Sequence, residues 1–152
     1  MDYKIKKQMH HQLKEKLWAY IVQNNPELMF TLQEDYSVNQ YLEDRISEVM
    51  PTALKLLAED KPGYAIIELC MEELTAPLRP SKFNYLTTIL ATEFEEVNAN
   101  LKESGLLTHE AVNLIDYCQP HFEKYGFSEA NEDSSLIRGA IKDAVSAYLK
   151  YL

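Results

Sequence analysis

The sequence predicts an all-α fold, an irregular bundle of six or seven helices that forms a single domain over residues 1–152. Apolar residues recur every three or four positions along most of the chain, which is the spacing of one buried helix face. Only four glycines occur, and the sequence has no run of alternating β-branched residues bounded by turns. The composition, with 46% hydrophobic and 26% charged residues, is that of a globular domain.

The first predicted element is a basic amphipathic helix over about residues 3–24. Asn24 and Asn25 precede Pro26, and this triplet ends the helix because a proline disfavours helical conformation in the residue before it. The apolar face of the helix consists of Met9, Leu13, Leu17 and Tyr20.

Two further helices are predicted before residue 75. Ser37, with Gln40 three residues later, forms a predicted capping box that opens the second helix, and Pro51 either restarts or kinks it. Residues 59–63 contain helix breakers and end this segment. A short helix with a buried apolar face then covers residues 64–74.

Three helices are predicted for the second half of the chain. Ser81 caps a long helix that runs to about residue 103, and Gly105 ends it. Thr108 caps the next helix, with Pro120 near its end. The last helix covers residues 135–152 after a polar loop.

The C-terminal helix carries apolar residues over more than half of its circumference, whereas a helix on the outside of a bundle needs a stripe only about 100° wide. We therefore expect it to be central, packed by the helix of residues 83–101 on one side and by the first helix on the other. A two-fold homodimer through its exposed flank is the alternative.

The chain is acidic, with a net charge of −9. This charge repels nucleic-acid phosphates and anionic lipid, which argues against direct nucleic-acid binding and against a membrane partner. The sequence has no apolar stretch of the roughly 20 residues that span a membrane, and its first residues do not resemble a signal peptide. We expect a cytoplasmic protein.

The sharpest electrostatic feature is a basic ridge on the first helix, formed by Lys4, Lys7, His11 and Lys14. Residues 1–16 carry a net charge of +3, which leaves −12 for the rest of the chain. The ridge is a candidate surface for an acidic partner, a nucleic-acid backbone or an anionic membrane. We favour the alternative that it lies against the acidic remainder of its own chain, because that attraction needs no second molecule.

Several sequence blocks resemble an uncharacterised bacterial family known as domain of unknown function 1896. The resemblance covers about residues 13–152 and depends on five blocks: Leu17-Trp18-Ala19-Tyr20, Asn25-Pro26-Glu27-Leu28, Glu68-Leu69-Cys70-Met71, Ser81-Lys82-Phe83-Asn84-Tyr85-Leu86, and Cys118-Gln119-Pro120-His121-Phe122-Glu123-Lys124-Tyr125.

This resemblance implies a small all-helical protein with an accessory role, since members of the family are typically encoded in mobile and conjugative elements. It implies no activity and no catalytic residues. The chain departs from the family where many members have a glycine before an aromatic residue, because here the sequence reads Pro77-Leu78-Arg79-Pro80.

Candidate metal ligands are few. Cys118 and His121 form a Cys-x-x-His pair, which is half of a zinc site, and Cys70 is the only other thiol. Structural zinc needs four ligands, and Cys70 falls on an apolar helix face where a neutral buried thiol is usual. We therefore expect no metal and no cofactor.

The sequence contains no phosphate-binding loop, dinucleotide fingerprint, hydrolase elbow or metalloprotease motif. A non-catalytic accessory or protein-interaction module with an unknown protein partner is therefore the favoured function. Two alternatives stay open: an enzyme whose site is assembled from scattered residues, and an acidic inhibitor that imitates nucleic acid. Tyr85 joins the basic ridge as a candidate partner-binding residue, because a half-exposed tyrosine makes an amphipathic anchor.

Overall fold

The computed structural model describes residues 2–152 and confirms the all-α fold. Within this range it contains eight α-helices, one short 3-10 helix at Ala76–Leu78, and no strand. The α-helices are α1 Asp2–Asn24, α2 Pro26–Glu34, α3 Val38–Ala58, α4 Gly63–Thr75, α5 Lys82–Glu93, α6 Glu95–Ser104, α7 Leu107–Lys124 and α8 Ser135–Leu149. The count exceeds the predicted six or seven for two local reasons.

The first reason is α2, which the sequence analysis missed. Pro26 ends α1 as predicted, but it also occupies the first turn of a new helix. Proline suits that position because its fixed φ is helical and its missing N–H would have no partner there. Leu32 is buried, and Leu28 and Met29 pack α2 against the apolar core that α1, α3 and α4 form.

The second reason is a break at Phe94, so the predicted continuous helix from Ser81 to about residue 103 is wrong. Phe94 has φ −138° and ψ 54°, which lies outside the helical region, and it ends α5 while beginning α6. No glycine or proline marks this position. The Phe94 amide still donates to the Leu90 carbonyl at 3.0 Å, so this hydrogen bond is kept at the break.

Two predicted helix ends are confirmed. The Ser81 side chain accepts a hydrogen bond from the Asn84 amide at 3.0 Å, as an N-cap serine does. Gly105 follows α6 with φ +75°, the left-handed conformation that glycine adopts at a helix C-terminus without a Cβ penalty.

Ser37 stands at the N-cap of α3, but its predicted capping box does not form, and the predicted Thr108 cap is wrong. Ser37 precedes α3, but its hydroxyl donates to the Leu32 carbonyl at 3.5 Å instead of accepting from an α3 amide. Helix α7 begins at Leu107, so Thr108 lies inside the helix and does not cap it. Pro51 lies inside α3, which continues on both sides of it.

The chain divides into two compact units, one ending at Leu78 and the other beginning at Arg79. The first unit packs α1, α3 and α4 against one another, with α2 beside α1 and α3. Its core is apolar and consists of Met9, Leu13, Leu17, Ile21, Leu42, Ile46, Val49, Met50, Ala53, Ile66, Ile67, Cys70 and Leu74. That residues 1–152 form one domain stays a prediction.

The second unit is built on the pair α7 and α8, with α5 and α6 packed against α7. Its core consists of Leu86, Ile89, Leu90, Leu114, Ile115, Cys118, Phe122, Ile137, Ile141, Ala144 and Val145. No helix within residues 2–152 is both long enough and apolar enough to cross a membrane.

The predicted position of the C-terminal helix is confirmed in part. Helix α8 does contact α5, since Arg138 and Lys142 lie 3.6 and 3.0 Å from the carboxylate of Glu93. Its main packing partner is α7. That α1 packs on its other side stays a prediction. The wide apolar face of α8 is also not entirely buried, because Leu136 is 66% exposed.

Candidate interaction surface on the first helix

The C-terminal end of the basic ridge, at Lys14, is paired with side chains of the same molecule. The Lys14 Nζ atom lies 2.7 Å from Oε1 of Glu43 and 2.5 Å from Oδ1 of Asn39, both on α3. His10 Nε2 also lies 2.9 Å from Oε2 of Glu43. The hydrogen bond from Lys14 lowers the pKa of Glu43 below its ordinary value, and this effect outweighs the opposing effect of desolvation.

The N-terminal end of the ridge is exposed. Lys4 and Lys7 form no salt bridge with any side chain described in residues 3–152, whereas His11 lies 3.0 Å from Glu15 on its own helix. Lys4 and Lys7 border a shallow depression of about 580 Å³ together with Tyr3, Gln8 and His11. The role of the ridge in partner binding stays a prediction.

A larger groove of about 860 Å³ lies between α1 and α4 within the first unit. Its floor is apolar and is formed by Ile5 and Met9 from α1 and by Ile67 and Met71 from α4. Met9 and Ile67 belong to the buried core of the unit, and Ile5 and Met71 pack against that core. The groove therefore lies at the edge of the core, between side chains of α1 and side chains of α4.

The two walls differ in charge. The α1 wall carries Gln8, Gln12 and Lys16, while the α4 wall carries Glu68 and Glu72. All five side chains are exposed. The groove is thus neutral to basic along α1 and acidic along α4.

An aromatic side chain stands at one end of the groove. Tyr64 occupies the first turn of α4 and is 77% exposed, although its ring lines an apolar groove. Exposed tyrosines in such positions are frequent anchors in protein interfaces. Helix periodicity did not predict this surface, because it shows which residues share a face but not which two helices leave a gap between them.

Two of the three candidate zinc ligands are buried thiols. Cys118 is fully buried in the second unit, and burial raises the pKa of its thiol to about 12. Cys70 is fully buried in the core of the first unit, and burial raises its thiol pKa as well. Among the residues that the structure describes, no group of three or more His, Cys, Asp and Glu side chains is placed to hold a metal ion.

Tyr85 is part of the aromatic packing of the second unit. Its ring meets the ring of Phe127 edge-on at 4.8 Å and that of Phe122 at 6.0 Å. Its hydroxyl is buried and has no hydrogen-bond partner among the described residues, and burial raises its pKa. Its ring therefore contributes mainly to packing, and its partner-binding role stays a prediction.

Comparison of the chain with protein-family models, with curated proteins and with solved structures finds no match.

Proposed function

We propose that this protein is a non-catalytic protein-interaction module and that the groove between α1 and α4 is its binding surface. The observation that carries this proposal is the apolar floor of the groove, where Ile5 and Met71 are only partly buried above the core residues Met9 and Ile67. Apolar side chains gain about 25 cal/mol for each Å² removed from water, so a partner that covers the floor is stabilised by its burial.

The shape of the groove supports a macromolecular partner. Its two walls are helices, and such a trough is the geometry in which one protein receives a helix of another. The wall side chains Gln8, Gln12 and Glu68 are exposed and supply hydrogen-bonding groups for a polar rim around the apolar floor. An accessory role in a mobile element, which the family resemblance implies, belongs to the same proposal.

Site-specific photo-crosslinking in the native cell tests the proposal. A photoreactive phenylalanine derivative in place of Gln12 stands on the groove wall, and the same derivative in place of Ala99, an exposed residue of α6, is the matched control. We expect a discrete protein adduct from position 12 only. We also expect Tyr64→Ala to reduce the yield of this adduct, because the Tyr64 ring lines the groove. Tyr64 is exposed, so its truncation leaves the core intact.

Two results would contradict the proposal. One is the absence of any adduct at position 12 although the modified chain is folded by circular dichroism. The other is the same set of adducts at positions 12 and 99, because that pattern reports random collision and not a specific groove.

A further inference from the structure

We infer that the groove between α1 and α4 receives an amphipathic helix of a partner protein, with Lys or Arg beside its apolar stripe on the flank that faces α4. This inference rests on the proposed function and adds the chemistry of the partner.

The length of the groove sets the size of the occupant. Helix α4 has 13 residues, from Gly63 to Thr75, and the groove follows it from one end to the other. At 1.5 Å per residue, such a wall is roughly 20 Å long. A helix of three to four turns matches that length, and its residues at i, i+3, i+4 and i+7 would meet the apolar floor.

The negative charge of α4 determines the charge expected on the facing flank of the bound helix. Helix α4 contains Glu68, Glu72 and Glu73 and has no lysine, arginine or histidine. Glu68 is exposed, and it forms no salt bridge with a side chain in the described part of the chain. A cationic side chain of the occupant would therefore gain an ion pair with Glu68 without displacing an existing one.

The opposite wall makes the complementarity directional. Along α1 the groove is bordered by the amides of Gln8 and Gln12 and by the cation of Lys16. A second basic flank would be repelled by Lys16, whereas a polar or acidic flank would not. The occupant is thus basic on one side of its apolar stripe only.

The same charges disfavour other occupants. The acidic α4 wall repels the phosphates of nucleic acids and of anionic lipids. Helix α1 of a second copy has exposed lysines at Lys4 and Lys7, but its own apolar face is buried in the core of the first unit. A partner helix of another protein is therefore the occupant that the observations favour.

A display selection tests the inference with a defined probe. The library consists of 18-residue helical peptides with leucine fixed at the i, i+3, i+4 and i+7 pattern and with random residues on both flanks. Peptides are selected on the full chain and counter-selected on Gln12→Trp, which fills the groove from an exposed position. We expect the groove-dependent peptides to carry Lys or Arg on one flank.

A charge reversal then checks the flank directly. Glu68→Lys should weaken the binding of the selected peptides by about twofold to fivefold at low salt, which is the range for one exposed ion pair. The matched control Glu103→Lys, an exposed position on α6, should leave their affinity unchanged. The effect of Glu68→Lys should shrink as salt is added, because salt screens the pair.

The outcomes separate the inference from the proposed function. Groove-dependent peptides with acidic or random flanks would overturn the inference alone. If no selected peptide distinguishes the unmodified chain from Gln12→Trp, both ideas fail. A dimer in sedimentation velocity that Gln12→Trp converts to monomer would assign the groove to a second copy of this chain, and that result also overturns the inference.

Discussion

The ammonium of Lys14 on α1 and the carboxylate of Glu43 on α3 lie 2.7 Å apart and join two helices of the first unit across 29 residues of sequence. Nε2 of His10 also lies 2.9 Å from Oε2 of Glu43. The single carboxylate of Glu43 thus contacts two side chains of α1, Lys14 and His10. The Lys14 end of the basic ridge therefore faces the protein itself.

The Glu43 contact predicts a defined dependence of stability on acid. Since the folded pKa of Glu43 lies below its ordinary value of 4.5, its stabilising contribution is present above pH 4.5 and is lost as the pH falls through the folded pKa. The melting temperature of Glu43→Gln should therefore be lower than that of the unmodified chain near neutral pH. The difference should narrow as the pH falls below 4.5.

Glu34→Gln is the matched control for this prediction, because Glu34 is exposed at the end of α2 and forms no salt bridge with a described side chain. Differential scanning calorimetry at several pH values measures both variants. A Glu43→Gln difference that stays constant across the acid range would contradict the assigned role of the carboxylate.

Substitution by alanine should change the free energy of unfolding in opposite directions at two glycines. Gly105 has φ +75°, so Gly105→Ala should destabilise by about 1–2 kcal/mol, the cost of a Cβ in the left-handed region. Gly139 lies inside α8, so Gly139→Ala should stabilise by about 0.5–1 kcal/mol. A Cβ meets no atom within 4 Å at either position, so backbone conformation alone sets the sign. Urea denaturation measures both, and equal effects would refute the assignment.

The core of the second unit predicts a contrast between two leucines. Leu90 is fully buried on α5, so Leu90→Ala should cost about 2–5 kcal/mol of unfolding free energy. Leu136 is 66% exposed on α8, so Leu136→Ala should change stability by no more than about 0.5 kcal/mol. Denaturant titration measures both, and a small effect at Leu90 would show that it faces solvent.

Tyr148 predicts a stability change at alkaline pH. Its hydroxyl donates to Oε2 of Glu110 at 2.6 Å, and desolvation with this contact raises its pKa to about 12. Because the folded pKa is raised, the contribution is present below the ordinary value of 10 and is lost as the pH rises toward 12. Tyr148→Phe should lower the melting temperature at pH 8, and its difference from the unmodified chain should shrink above pH 10.

The exposed Tyr151 supplies the control for this measurement. Tyr151→Phe should leave the melting temperature unchanged at pH 8, and absorbance at 295 nm follows phenolate formation in each variant. A Tyr148→Phe variant as stable as Tyr151→Phe at pH 8 would mean that the hydrogen bond to Glu110 contributes nothing.

The sequence predicted those features of the helices that depend only on residues close together in the chain. The 3.6-residue periodicity identified the all-α fold, and the buried positions Met9, Leu13 and Leu17 of α1 confirm it. Ser81 and Gly105 were predictable because each acts on its own helix terminus, through a side-chain acceptor and a left-handed backbone. Pro26 predicted only the end of α1, because the same residue both ends that helix and begins α2.

Tertiary structure decided the features that depend on pairs of distant residues. Nothing in the sequence near Phe94 requires the break between α5 and α6, and nothing near Leu32 announces that Ser37 would bond to it. The division of the basic ridge depended on whether α3 would bring Glu43 to Lys14 and leave Lys4 exposed. The groove likewise exists only because α1 and α4 pack with their apolar edges apart. Periodicity specifies the face of one helix, whereas the gap between two helices depends on how their side chains interlock.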